Sequence, residues 1–297
     1  MGTGHWMRTL SLAQAWTLCG GVVRFVTHLP PDDPLATLAQ HPGMETTFLE
    51  SIPASREDLD ATLTAVRDFN PQALVLDGYH FGAQYRAALT QTDTPLWVID
   101  DLADEDLSSA SGVLNQNLYA SPEDYNGRIS PETLLLLGPK FALLRPEFRS
   151  LRPADVRIES VTSNVLITMG GADPANATLA VLNLIARMKL PPLDLTVVLG
   201  AANPHGDSIA EAVQRLEEHH RVAILRHPSN LVERLLAADL VISAAGTTAL
   251  ELACLGRPAA IDRFPRSPVG RWKRSPPRRG GPRHAPREPS TGHSRRF

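Results

Sequence analysis

The 297-residue sequence predicts an α/β protein of two domains with a cleft between them and a disordered tail. Three observations point there. Short apolar or β-branched runs alternate with helical periods, which is the pattern of βαβ units and parallel sheets. The pattern restarts after a Pro-containing, charged stretch, 145–163, the expected linker. Glycine-rich turns stand where runs of one kind give way to the other.

In the first half the strands are expected at Val22–Thr27, Ala73–Asp77, Leu96–Ile99, Val113–Asn115 and Leu134–Leu137, with an amphipathic helix over Arg56–Phe69 among the connections. A helix from His5 to Leu18 opens on the turn Gly2-Thr3-Gly4 and stops at Gly20-Gly21. In the second half strands are expected at Asn164–Met169, Leu193–Leu199, Val222–Leu225, Leu240–Ser243 and Ala259–Ile261. Helices are expected at Asn176–Met188, Ser208–His219, Leu231–Ala237 and Thr247–Leu255. The expected domains are 1–150, 161–262 and a tail, 263–297. A glycine turn opening a helix normally follows a strand, and in a doubly wound sheet the first strand is central. A domain lacking it exposes two unpaired edges.

Charge divides the chain unevenly. From Asp262 to Phe297 there are 11 Lys and Arg against 2 Asp and Glu, while residues 1–261 carry a balance of −12. The tail, with 7 Pro, 4 Gly and 4 Ser in 36 residues, has no periodicity and too little apolar surface to fold. A basic arm for nucleic acid or an anionic membrane is one reading. An accidental tail from out-of-frame translation of a GC-rich gene is the other and the preferred one. No apolar run is long enough for a membrane span. Two cysteines, Cys19 and Cys254, form no disulfide framework or metal spacing and are expected as buried free thiols of a cytoplasmic protein.

Four turns carry candidate chemistry. In Gly2-Thr3-Gly4-His5, a helix start presents N–H groups to an anion. There His5 could move a proton near neutral pH, and Arg8, one turn on, could pair a phosphate. The alternative is an ordinary helix start with an incidental histidine. In Gly246-Thr247-Thr248, small residues let a diphosphate approach a helix N-terminus, and Glu251 could accept from a ribose diol. Thr248-x-x-Glu251 is also a capping box, which needs no ligand. Gly170-Gly171-Ala172-Asp173 and Asp77-Gly78-Tyr79-His80 end strands, where Tyr79 could contact a sugar or simply pack. Asp100-Asp101 and Asp104-x-Asp106 are expected as a solvated acidic loop rather than a metal site. Asn115-x-Asn117 receives no role.

Taken in order, these turns resemble a known family. They run from Gly2-Thr3-Gly4-His5…Arg8 through Asp77-Gly78-Tyr79, Ile99-Asp100-Asp101, Asn115-Gln116-Asn117 and Gly138-Pro139-Lys140-Phe141-Ala142-Leu143-Leu144-Arg145. They continue through Thr168-Met169-Gly170-Gly171-Ala172-Asp173 to Ser243-Ala244-Ala245-Gly246-Thr247-Thr248…Glu251…Gly256-Arg257-Pro258. The set is similar to the UDP-2,4-diacetamido-2,4,6-trideoxy-β-L-altropyranose hydrolases of pseudaminic acid biosynthesis. Their wider relatives are the spore-coat polysaccharide proteins and the lipid-II-forming N-acetylglucosaminyltransferase. The resemblance covers about residues 1–261.

It implies a GT-B fold, two Rossmann-like domains with an interdomain cleft, and hydrolysis of a UDP-sugar at the anomeric carbon, without metal or cofactor. The alternatives are a UDP-sugar glycosyltransferase of the same fold and a non-catalytic fragment. By resemblance His5 is the base that activates water, Tyr79 lines the sugar, and Gly246, Thr247 and Thr248 hold the diphosphate with Glu251 on ribose. Gly4, Arg8, Gly170, Gly171 and Asp173 complete the expected nucleotide site. The expected partner is the UDP-sugar alone, with no nucleic acid or membrane; oligomeric state is not encoded in these motifs. The sequence departs from the family at both ends. The strand before Gly2 is absent and Asp262-Arg263-Phe264-Pro265 replaces an Asn-Gln pair. An internal start and a frameshift near Asp262 are the expectation.

Overall fold

The computed structural model describes residues 3–262 except 154, 155, 157, 159, 160, 201, 227 and 229. The expectations for Met1, Gly2 and the basic tail 263–297 lie outside the described residues. The described residues belong to one compact unit.

Helix α1 (Thr3–Leu18) starts two residues earlier than predicted. It stops as expected: Gly20 turns left-handed at φ +86°, and the Gly20 and Gly21 N–H groups bond the carbonyls of Thr17 and Trp16. A Cβ at Gly21 would lie 2.1 Å from the Trp16 indole, so this stop also requires a glycine for space. Cys19, just past the helix end, is exposed, and Cys254 is half-buried. Both correct the expectation of buried thiols. An apolar neighbourhood in sequence did not place Cys19 on the buried face of a helix that had already ended.

Strand β1 (Val23–Thr27) pairs in parallel with β2 (Met44–Phe48), and the two form a sheet of their own. Between them lies α2 (Pro34–Thr37), whose first turn is capped by the Asp33 carboxylate on the Leu35 N–H. Helix α3 (Arg56–Phe69) has the predicted bounds. Ser55 accepts from the Asp58 N–H at its start, and Asn70 takes the left-handed position at its end. Next come β3 (Leu74–Asp77), α4 (Ala83–Leu89), β4 (Leu96–Ile99), β5 (Gly112–Asn115) and β6 (Leu134–Leu137). The four strands make a parallel sheet in sequential order, packed around Leu96, Val113 and Tyr125.

The expected linker is not all linker. It opens with α5 (Pro146–Ser150), whose fully buried Phe148 packs against Leu166, Leu235, Val241, Leu252 and Leu255. Burying one such ring stabilises by about 1.5–3 kcal/mol, which explains why a Pro-started, charged stretch docks rather than swings.

The second half comprises β7 (Asn164–Thr168), α6 (Ala177–Arg187), β8 (Asp194–Leu199), α7 (Gly206–Leu216), β9 (Arg221–Arg226), α8 (Leu231–Ala237), β10 (Leu240–Ala244), α9 (Thr247–Cys254) and β11 (Ala259–Asp262). The parallel sheet runs β11-β10-β7-β8-β9, so its first strand, β7, is central. The order reverses between β7 and β10, and the crevice outside their carboxyl ends is where such sheets bind ligands. Gly170-Gly171 follows β7, and Gly246 follows β10. Among the described residues, no helix is long and apolar enough to cross a membrane.

A candidate active site at the carboxyl ends of the strands

His5 lies in the first turn of α1, and Arg8 stands one turn on. Asp77 is the last residue of β3; Asp101 follows β4, and Asn115 ends β5. These strands are parallel, so their ends lie on one edge of the sheet. Arg8 is the hub. Its Nε donates to Asp77 Oδ2 at 2.7 Å and its Nη2 to Asp77 Oδ1 at 2.6 Å. Its Nη1 donates to both Asp101 oxygens, at 2.9 and 2.8 Å. Arg8 is 4% exposed. This corrects the phosphate-binding expectation: the guanidinium is sealed under the site and spent on two carboxylates. Burial works against its charge, but Asp77 and Asp101 outweigh that and hold it more firmly protonated than a free arginine.

The same clamp governs Asp101. Burial would raise its carboxyl, yet Arg8, followed by the Tyr79 hydroxyl and the Asn117 amide, holds it below the usual carboxylate range. Tyr79 Oη donates to Asp101 Oδ2 at 2.6 Å, and Asn117 Nδ2 to Oδ1 at 2.8 Å. Asn115 Oδ1 orders Asn117 through its N–H and its Nδ2. Behind them Asn115 Nδ2 donates to Tyr125 Oη, which donates to Asp100 Oδ2 at 2.7 Å. The Asp100-Asp101 pair is therefore not the solvated loop expected from sequence; both carboxylates are consumed by internal donors. Among the described residues, no group of three or more His, Cys, Asp or Glu is placed to hold a metal.

His5 Nδ1 lies 2.7 Å from Asp77 Oδ1 and 3.1 Å from Arg8 Nη2. One nitrogen cannot donate to the first and accept from the second. In the neutral imidazole the shorter contact and the negative partner assign the proton to Nδ1 and the lone pair to Nε2. The Tyr79 ring meets the imidazole edge-on, with centroids 4.7 Å apart and planes at 84°. The His5 side chain keeps 14% of its surface accessible, whereas Asp77 keeps 3%.

The start of α1 faces the start of α9. A Cβ at Gly4 would lie 3.8 Å from Thr247 Oγ1. Helix α9 is entered through Gly246, with no side chain capping its first turn. The capping box expected from Thr248 and Glu251 is thus not formed. The helix begins two residues too early for it, and Glu251, 9% exposed, points instead toward Arg145 Nη2 at 3.6 Å. Burial raises the Glu251 carboxyl above its ordinary value, with Arg145 opposing. Arg145 also pairs Glu147 at 2.8 Å and lies over the Phe148 ring.

At the switch point Gly170 turns left-handed at φ +85°. Gly200 packs so close that a Cβ there would lie 2.2 Å from the Gly171 carbonyl oxygen. The Asp173 carboxylate accepts from the Ala177 and Thr178 N–H groups at 2.7 and 3.0 Å. Both of its oxygens are engaged, so it shapes the turn rather than facing the crevice. Sequence reasoning assigned no role to Asp77, Asp101, Asn115 and Asn117, which belong to this hydrogen-bonded network. The available signal was their common position at or just past a strand's carboxyl end.

No family model matches the chain. An uncharacterized protein of Methanocaldococcus jannaschii is 25% identical over 266 residues, covering 88% of this chain and 53% of that protein. The spore coat polysaccharide biosynthesis protein SpsG of Bacillus subtilis is 24% identical over 177 residues, 58% of this chain and 49% of that protein. The chain spans about half the length of the curated relatives it matches. Among solved structures, MurG of Acinetobacter baumannii superposes with a TM-score of 0.58 at 15% identity, covering 90% of this chain and 78% of that one. A glycosyltransferase of Rickettsia africae gives 0.59 at 13%, over 87% and 76%. A UDP-N-acetylglucosamine 2-epimerase of Rickettsia bellii gives 0.53 at 11%, over 86% and 75%. The chain is similar to a spore-coat polysaccharide protein, and its parallel α/β architecture is of the GT-B type.

Proposed function

We propose that the chain processes a UDP-sugar, and specifically that it hydrolyses a UDP-linked diacetamido-trideoxy sugar at the anomeric carbon, releasing UDP. The observation that carries this reading is the His5–Asp77 pair at the start of α1, opposite the uncapped start of α9. His5 Nε2 takes a proton from water, and the water oxygen bonds the anomeric carbon. The bond from that carbon to the diphosphate oxygen breaks, and its electron pair leaves with UDP. Asp77 is a positioning residue: it holds the imidazole in one tautomer and faces the positive charge formed on it. Arg8 and Asp101 hold Asp77 and Tyr79 in place, and Tyr79 lines the sugar.

The Gly246-Thr247-Thr248 turn and the Gly170-Gly171 turn, at neighbouring strand ends, receive the diphosphate with backbone N–H groups. A diphosphate is a good leaving group, so the reading asks for one base and no paired acid. For Glu251 to meet a ribose diol, it must first exchange Arg145. Arg8 and Asp173 act in this reading through construction of the site. The proposed domain division places the crevice between 1–150 and 161–262.

The reading is tested by UDP release in water alone. His5→Ala is expected to lower the rate by about 10²–10⁴-fold. Asp77→Asn is expected to lower kcat more than it changes KM, and to alter the pH profile. An unchanged rate in His5→Ala removes the base assignment. The glycosyltransferase among the structural neighbours supports a second reading, transfer to an acceptor. UDP release that begins only when an acceptor is added replaces hydrolysis with transfer.

A further inference from the structure

Two arginines stand at the candidate site, and they are held in opposite ways. Arg8 donates four hydrogen bonds of 2.6–2.9 Å to Asp77 and Asp101. Arg145 is held by charge and stacking. Its Nη1 pairs with Glu147 Oε1 at 2.8 Å, and its Nη2 stands 3.6 Å from Glu251 Oε1, too long for a hydrogen bond. Its guanidinium carbon lies 4.8 Å from the centre of the Phe148 ring. Its Nε is buried with no hydrogen-bond partner among the described residues. An arginine that leaves a buried donor unmet gives up little by moving, whereas Arg8 would give up four bonds.

Glu251 is the matching anomaly. It is buried in α9, and among the described residues its carboxylate accepts no hydrogen bond. A buried carboxylate without donors is costly and tends to take up a proton. Burial accordingly raises this carboxyl; Arg145 opposes the rise, and Glu147 adds to it. Both of those charges come from one place, the start of α5. The other strands packed on α9 add little: β10 is uncharged, and β11 has Asp262 as its one charged residue. From α1, which faces the start of α9, His5 and Arg8 are both engaged with Asp77. The charge of Glu251 is therefore in the keeping of Arg145.

We infer that Arg145 is a positioning residue of the nucleotide site: it keeps Glu251 a carboxylate while the site is empty, and passes to Glu147 when a vicinal diol brings its own donors to Glu251. The inference rests on the reading of Glu251 as the ribose acceptor. An ionised carboxylate is acceptor-only and can take both hydroxyls of a diol, whereas a protonated one turns part of that capacity into a donor. Glu147 already touches Nη1, and 42% of its side chain is accessible, so the shift needs no new partner. No charge is created or lost in the exchange. Glu251 trades an ion pair for hydrogen bonds, and Arg145 keeps a carboxylate beside it throughout.

The test measures UDP and dUDP binding to the full chain by calorimetry across neutral pH and reads the ratio of their Kd values. The nucleotide dUDP lacks one of the two diol hydroxyls. The ratio cancels the ionisation of the diphosphate and of His5, which both nucleotides meet alike. Wild type is expected to favour UDP by about tenfold once Glu251 is ionised. In Arg145→Met that preference is expected to appear only at higher pH, by at least about one pH unit, since loss of the cation raises Glu251 further. Arg145→Lys, which keeps the charge, is expected to follow wild type. Glu147→Gln is expected to lower the preference reached at high pH, because Arg145 then has no second carboxylate to move to. Equal binding of UDP and dUDP by wild type removes the ribose reading of Glu251, and this inference with it. A clear wild-type preference whose pH profile Arg145→Met leaves in place overturns the inference alone. So does an Arg145→Lys profile that matches Arg145→Met, or an unchanged preference in Glu147→Gln. A purely structural Arg145 would weaken both nucleotides alike and leave the ratio untouched.

Discussion

Replacing Arg8 by Met keeps most of the buried stem and removes the charge that two carboxylates share. Arg8 makes four hydrogen bonds of 2.6–2.9 Å to Asp77 and Asp101. Their contributions overlap and are not summed. Removing one partner of a buried ion pair costs about 3–5 kcal/mol, because the other charge stays buried without compensation. His5 still faces Asp77, and Tyr79 and Asn117 still donate to Asp101. The expected loss therefore lies at the lower end, about 3 kcal/mol at pH 7. At about 2–4 °C per kcal/mol for a unit of this size, Tm falls by about 6–12 °C.

Urea unfolding at constant m measures the loss directly. The pH dependence is the sharper readout. A carboxylate held below its ordinary value contributes stability that is present above that value and lost as pH falls through the folded one. Asp101 is such a group through Arg8, so the difference between wild type and Arg8→Met is full at neutral pH and narrows below about pH 4. The triple variant Arg8→Met, Asp77→Asn, Asp101→Asn recovers more than half of the loss. A loss under about 1 kcal/mol at pH 7, or one equal at pH 7 and pH 3, refutes the account of Arg8 as a buried clamp.

Glu251→Gln is expected to stabilise the chain at pH 7.5, since burial holds this carboxyl above its ordinary value and the charged form is the costly one. The advantage is lost as pH falls through the raised folded value toward the unfolded one. Paired urea curves at pH 4.5 and pH 7.5 check it, and a larger gain at the lower pH contradicts it. Gly200→Ala places a methyl against the Gly171 backbone, which cannot swing aside as a side chain does. It is expected to destabilise by about 1–3 kcal/mol and to weaken any UDP-induced rise in Tm by displacing the turn after β7. Gly82→Ala, with no atom within 4 Å of the added Cβ and φ −71°, is the control and is expected to stay near wild type.

What the sequence determined by itself was the succession of elements. Apolar runs and amphipathic periods are local records of what each segment buries, so β4, β6, α3 and α8 were found with their observed bounds. The elements missed were those whose burial is not local. Strand β2, Met-Glu-Thr-Thr-Phe, is polar and half-exposed, and it exists because β1 offers it a ladder. Helix α5 exists because Phe148 finds a pocket made by residues up to 107 positions further along the chain. The glycine turns were visible because a positive φ or a close backbone approach demands a residue without Cβ, wherever the turn sits.

Only the tertiary structure decided how the charges are used. Arg8 meets Asp77 and Asp101 across 69 and 93 residues, and no spacing rule in the sequence pairs them. A helix-start arginine reads as a phosphate ligand until two strand ends deliver carboxylates to it. Glu251 reads as a cap or a ribose acceptor until the docking of α5 places Arg145 beside it. Hydrophobic pattern is a property of a segment, whereas the role of a charge depends on which other segments the topology brings within about 4 Å of it.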